Sequence, residues 1–217
     1  MKYLTKLLIA VFLLGVTGVA KAEVSYYKPS SKTGASLCVV VRDDVLAHTS
    51  QILPLNIKGG MITPTGAGDQ TALVLKNLSY LLKKVDSSLN KLVKLNIYVA
   101  REELVTEVQQ RLTQELELIA QPACTYVVTK LPDPKALVAM DAVAVTESSG
   151  KLTETKVFND APSGFRVALL PAGRTAYISG QAVKADTVSE AAILTMKELF
   201  QTLEYLGAKP KNIVHIK

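Results

Sequence analysis

The chain has 217 residues, 48% of them apolar and 20% charged, with 6% aromatic and no Trp; this balance excludes collagenous and disordered classes and allows one or two compact domains. Setting aside the N-terminal leader with Lys2, Lys6 and Lys21 leaves 22 basic against 19 acidic residues, too small and scattered an excess to argue for a nucleic-acid partner. Cys38 and Cys124 cannot build a disulfide framework, and neither lies in a CxxC or Cys/His cluster, so neither a structural metal nor a cofactor is expected.

Residues 1–22 have the three parts of a secretory signal: Lys2 and Lys6, an apolar run from Leu7 to Ala20, and Ala20-Lys21-Ala22 as an A-x-A cleavage site. A membrane anchor is the alternative, but the run is shorter than the ~20 residues needed to cross a bilayer. Cleavage before Glu23 is expected, giving a periplasmic or secreted protein with no stable membrane insertion.

After a polar lead-in, Glu23 to Gly34, the runs Ser36 to Val41 and Val45 to Leu53 are apolar and β-branched, and Arg42-Asp43-Asp44 between them reads as the turn of a hairpin. A loop containing Gly59, Gly60, Pro64 and Gly66 ends at Asp69, placed to cap a helix. Val74, Leu75, Leu78, Leu81, Leu82 and Val85 give that helix one buried face. Leu92 to Val99 alternates like a strand, and Val105, Val108, Leu112, Leu116 and Ile119 mark a second helix that Pro122 stops. Cys124 to Thr129 and Leu137 to Val145 are two further strands, joined by a turn that Pro132 and Pro134 stiffen. The order predicts an α+β sandwich with two helices on one face of a mixed sheet.

A polar stretch, 147–163, reads as a linker, and beyond it the pattern begins again. A shift of 121 positions lays Leu75, Leu78, Leu82, Val85, Leu92, Val93 and Leu95 on Met196, Leu199, Leu203, Leu206, Ile213, Val214 and Ile216 without a gap. Upstream, the segment Arg174 to Gln181 matches Val45 to Gln51. Residues 34–146 therefore form one complete unit and 164–217 a partial second copy, which ends inside its third strand. That ending suggests a truncation, or a half-domain that covers itself against the first copy or another chain.

Gln70-Thr71 with Val74 to Leu78, Val93-Lys94, Gln121-Pro122-Ala123, Leu131-Pro132 and Ala139 to Ala144, taken as an ordered series, resemble the Rid (reactive intermediate deaminase, YjgF-like) family. The resemblance implies a chorismate-mutase-like fold, a homotrimer, and a small-molecule site between neighbouring subunits that hydrolyses enamines and imines to 2-oxo acids and ammonia. That chemistry needs a cation for the substrate carboxylate, which arginine supplies through two parallel hydrogen bonds, and an acid/base group for water and the imine nitrogen. The family Arg follows Pro-Ala; here Cys124 stands there. The family's acidic residue falls at Asp141, an Asn of the second helix at Thr106, and the segment that meets the ligand carboxylate at Thr49-Ser50-Gln51, with Ser179-Gly180-Gln181 as its counterpart in the second copy.

The catalytic candidates are thus Asp141 and Cys124, and the substrate-binding candidates Ser50, Gln51, Thr106, Cys124, Ser179 and Gly180. Cys124 as a nucleophile would need a base, and His48 and His215 are the only histidines. As a strand residue it reads equally as a small buried hydrophobe, and a bridge to Cys38 depends on geometry. Three readings stay open: a Rid-like binder of small carbonyl, imine or enamine compounds with weak or lost deaminase activity, an active deaminase that draws its clamp from another arginine, and a structural oligomer. With no paired histidines, aromatic platform or basic stripe, RNA chemistry is disfavoured.

Overall fold

The computed structural model describes residues 23–56, 60, 66–116, 119–147, 152–161 and 163–210. Its elements are β1 (Glu23–Ser30), β2 (Ala35–Thr49), α1 (Ala67–Lys83), β3 (Leu92–Val99), α2 (Val105–Leu116), β4 (Ala123–Val128), β5 (Val138–Val145), β6 (Lys156–Asn159), β7 (Arg166–Ile178) and α3 (Val188–Tyr205). The strands form one mixed sheet in the order β4-β3-β5-β2-β7-β6, with β1 on the first half of β2. β3 and β4 run parallel; Ser36 of β2 also pairs with Ala123 of β4, so the sheet curls until its fourth and first strands touch.

Period-two alternation decides what each face holds. Leu95, Ile97 and Val99 of β3, Met140 and Ala142 of β5, and Val45 and Ala47 of β2 point to the helix side, where Val74, Leu75, Leu78, Leu81 and Leu82 of α1 and Val108, Leu112 and Leu116 of α2 complete one buried core. The α+β sandwich read from the sequence is therefore the observed architecture. On the opposite face Val39, Val41, Leu46, Val93, Ala123, Val143 and Val145 form a smaller second cluster.

Two local expectations are corrected. Arg42-Asp43-Asp44 does not reverse the chain: β2 runs through it as a single strand of 15 residues, with register shifts against β7 on either side of Asp44. Asp43 takes a left-handed conformation (φ 50°), which kinks the strand as a bulge does and leaves both flanking runs in the same sheet. The hairpin is instead made by β1 and β2 around Gly34 (φ 62°), so most of the polar lead-in, Glu23–Ser30, is a strand. Nor does Asp69 cap α1: the helix starts at Ala67, Asp69 sits in its first turn, and Glu107 of α2 accepts from the Gly68 amide at 2.7 Å, satisfying one of the orphan donors there.

The stretch 147–163, read as a linker, contains β6, which pairs antiparallel with β7. β2 and β7 pair antiparallel along nearly their whole length, with Val39 opposite Tyr177, Asp44 opposite Gly173 and His48 opposite Ala168, and the register is irregular around Asp44. Pro171, which has no amide hydrogen to donate, lies beside that irregularity, a position where a strand tolerates it. The contact is reciprocal at the helices: Tyr205 of α3 meets the Tyr27 ring edge-on at 6.0 Å, and Tyr80 of α1 bonds Asp160 in the β6–β7 turn. The third strand expected around Ile213 lies outside the described residues.

The two copies are packed unequally. In α1 the residues Thr71, Val74, Leu75, Leu78 and Leu82 are buried, whereas of the whole of α3 only Thr202 and Leu203 are, and Ile193 is 67% exposed. Leu78→Ala is therefore expected to cost about 2–5 kcal/mol in denaturant unfolding, and the equivalent Leu199→Ala well under half of that; equal costs would show that both helices cover comparable cores.

Candidate functional site

β4 and β5 flank β3, with Leu95 opposite Cys124 and Asn96 opposite both Thr125 and Asp141. Alternation then puts Cys124 on the helix side, with Ala142 and Leu95, and Asp141 on the other face. The two residues expected to share a site are thus on opposite faces of the sheet.

Cys124 lies where the copies meet. Its amide donates to Ser179 Oγ at 2.7 Å, its carbonyl accepts from the Gly180 amide at 2.9 Å, and Ser179 Oγ donates onward to the Ser36 carbonyl at 2.6 Å. Ser179-Gly180 continues β7 and runs along the β4 edge; a Cβ on Gly180 would stand 2.7 Å from Thr125 Cγ2, so only glycine fits there. Burial pushes the Cys124 thiol up to about 12, opposing the smaller pull of the Lys94 charge, so it stays protonated at neutral pH and is a poor nucleophile. His48 is on the opposite face and cannot activate it, and His215 lies outside the described residues. Both cysteines are free thiols.

Two buried polar atoms along this seam have no partner among the described residues: Tyr126 Oη, on the strand face of Cys124 two residues on, and Gln181 Oε1, next to Gly180. Gln181 Nε2 is held by Thr202 Oγ1 at 2.8 Å, which fixes the amide. Burial raises the Tyr126 phenol, so it remains a donor.

The opposite face carries a polar group of its own. Asn96 Nδ2 and Tyr98 Oη donate to the two Asp141 carboxylate oxygens at 2.7 and 2.6 Å, which fixes the carboxylate. Lys94, 9% exposed, donates to Thr125 Oγ1 at 2.5 Å and to the Ile178 carbonyl at 2.7 Å. His48 Nε2 lies 3.2 Å from Tyr177 Oη. Burial pulls the His48 pKa below its ordinary value against the opposing charge of Asp141, and burial pushes Tyr177 up to about 12. Tyr177 therefore stays a phenol and His48 a neutral imidazole, and the His48 tautomer sets the direction of the bond between them.

The remaining candidates are dispersed. Ser50 bonds Arg166 at the far end of the β2–β7 ladder, Gln51 precedes the Ile52–Met140 bridge, and Thr106 is exposed on α2. Arg101 pairs with Glu103 and Arg111 with Glu115, while Arg42 and Arg166 are exposed; the Arg174 side chain lies outside the described residues. Among the described residues no group of His, Cys, Asp and Glu could hold a metal ion, and no helix is long and apolar enough to cross a membrane. Lys94, Asn96, Tyr98, Tyr126 and Tyr177 were not singled out from the sequence. The first three are legible as one face of the alternating β3; the role of Tyr126 and Tyr177 depends on how the copies pair.

Residues 30–146 match the family model described as Endoribonuclease L-PSP. Among solved structures the chain is similar to a protein of unknown function of the conserved Rid family from Yersinia pestis, with a TM-score of 0.52 and 21% identity over 57% of this chain and 98% of that one. It is also similar to a YjgF-family protein from Neisseria meningitidis, with a TM-score of 0.43 and 21% identity over 58% of this chain and 97% of that one. No curated protein matches the chain.

The His48 environment has a pH consequence. With its folded pKa below the unfolded value near 6.5, the unfolded chain binds the extra proton first, so stability falls as pH drops below about 6.5 towards the folded pKa. Denaturant midpoints measured from pH 7 to 5 should decline less steeply in His48→Gln than in the wild type; identical slopes would mean that His48 is solvated.

Proposed function

We propose, on the premise that this chain belongs to the Endoribonuclease L-PSP (YjgF/Rid) family, that it is an exported protein that binds a small imine, enamine or carbonyl compound at the seam between its two copies, with the family deaminase activity weak or lost. Rid proteins are generally small-molecule-binding homotrimers.

What supports the reading is that two of the three buried side-chain atoms without a partner among the described residues, Tyr126 Oη and Gln181 Oε1, belong to residues two after Cys124 and one after Gly180; the third is Asp44 Oδ2. A buried polar group without a partner costs about 1–3 kcal/mol, so native proteins rarely keep one without an occupant to satisfy it. A carbonyl or carbinol oxygen of a ligand can accept from Tyr126 Oη and an N–H of a ligand can donate to Gln181 Oε1, groups that amides and carbinolamines carry. Among the described residues no guanidinium stands on the Cys124 side of this seam; the nearby cation is the Lys94 ammonium. A charged hydrogen bond contributes about 1.5–3 kcal/mol, and each 1.4 kcal/mol is tenfold in rate, so a thiol in place of a guanidinium suppresses turnover of a carboxylate substrate by orders of magnitude. Lys94 does not replace it, since its ammonium is directed to Thr125 and a backbone carbonyl. Asp141 faces away from this seam; held by Asn96 and Tyr98, it can act only on a ligand at the other face. Nothing in either site favours RNA: no aromatic platform accompanies a basic stripe among the described residues.

Ammonia release from a 2-imino acid generated in place by an amino-acid oxidase is expected to stay at the buffer rate. Release well above that rate by the wild type would contradict the loss of activity. Tyr126→Phe is expected to raise the thermal midpoint of the free protein, because it removes an unsatisfied hydroxyl, and to abolish the stabilisation given by small 2-oxo acid amides, which at a hundredfold excess over Kd amounts to about 2.7 kcal/mol in a binding wild type.

Export rests on the leader at residues 1–22. The mature protein recovered from the periplasmic fraction of a Gram-negative host is expected to begin at Glu23; an intact Met1 in the cytoplasmic fraction would refute it.

A further inference from the structure

The segment that follows the long strand of each copy goes to a different place in each. In the first copy Ser50 bonds Arg166 and Ile52 bridges to Met140 of β5, so Ser50-Gln51 does not reach the β4 of its own copy. In the second copy the equivalent Ser179-Gly180 does reach β4, and that β4 belongs to the first copy. Contact between this segment and β4 is therefore a contact between copies.

The contact is built closely. Four hydrogen bonds tie Ser179 and Gly180 to Ser36, Leu37 and Cys124; Lys94 adds a bond to the preceding Ile178 carbonyl, and Gly180 approaches Thr125 too closely for any side chain. β4 is the terminal strand of the sheet, and its outer residues Val127 and Val128 are exposed at 38% and 50%. An uncovered edge of this kind is a template for pairing with another chain, and covering it is one way in which proteins prevent that.

We infer that the second copy occupies, in cis, the Cys124–Thr125 part of the β4 edge, so that the seam beside Cys124 is completed within one chain and this part of β4 takes no part in association between chains, while Val127 and Val128 stay exposed. The inference does not depend on ligand binding at the seam, and its test reads no ligand.

The test compares the full mature chain with Gly180→Val by light scattering after gel filtration and by amide hydrogen exchange, over a hundredfold range of protein concentration. In the wild type the Cys124 amide should be protected to the same extent at every concentration. In Gly180→Val it should exchange at least tenfold faster in dilute solution, and the mass should rise with concentration as the freed edge pairs between chains. Protection of Cys124 that falls on dilution of the wild type would place the contact in trans and overturn the inference, as would a variant whose mass matches the wild type at every concentration. Should Gly180→Val fail to fold, Ser179→Ala removes only the hydroxyl bonds to Cys124 and Ser36. It should speed exchange at Cys124 in the same direction, and no change there would equally overturn the inference.

Discussion

The antiparallel pairing of β2 with β7 is the contact on which the rest of the structure depends. They are the two longest strands of the sheet, and they meet with Asp44 facing Gly173. Because β2 also carries β5 on its second half and β1 on its first, the pairing makes one sheet of two repeats. Val167 and Leu169 of β7 join the core beneath α1, and Val39 and Val41 of β2 lie in the cluster that Tyr177 packs against. The Ser179-Gly180 segment reaches Cys124 only because β7 has been laid along β2 in this register.

The functional consequence is a separation of two sets of groups that the sequence brought together on paper. Strand alternation sends Cys124 and Tyr126 to the helix side and Asp141, Asn96 and Tyr98 to the other. The Cys124 side carries a phenol, a fixed amide and backbone groups, and its nearest cation, Lys94, is engaged by Thr125 and the Ile178 carbonyl. Asp141 is tied down by two donors, and His48 and Tyr177 stand nearby in forms suited to a single neutral hydrogen bond. This arrangement is suited to holding a neutral polar molecule and poorly suited to gripping an anion, which is the physical content of the reading that binding outlasts turnover.

Where the sequence carries period and punctuation, it was read correctly. Leu92–Val99 is the strand its alternation describes, and the apolar spacings identify the buried residues of α1 and Val108, Leu112 and Leu116 of α2; Ile119, expected on the same face, lies beyond the end of α2 and is 45% exposed. The misreadings have a common cause. Arg-Asp-Asp has the composition of a turn, and whether a polar triplet reverses the chain or bulges within it is decided by the partner strand, here β7 from the other copy. Val24 and Tyr26 alternate as a strand should, but Lys28, Pro29 and Ser30 mask the signal until β2 is there to pair with them. The orphaned Tyr126 and Gln181 atoms were illegible for the same reason: burial without a partner is a property of the assembled copies, and no local pattern encodes it.

If β2 and β7 form one cooperative sheet, their amides must open together. Native-state hydrogen exchange in rising denaturant, followed at Val39–Val41 and Leu46–His48 of β2 and at Ala168–Leu170 and Thr175–Tyr177 of β7, tests this directly. The account predicts that the protected amides of both strands merge into a single opening, with the free energy of global unfolding and shared with α1. Opening of β7 at a denaturant concentration where β2 and α1 remain protected would contradict it, because the second copy would then be an appendage and the seam beside Cys124 incidental.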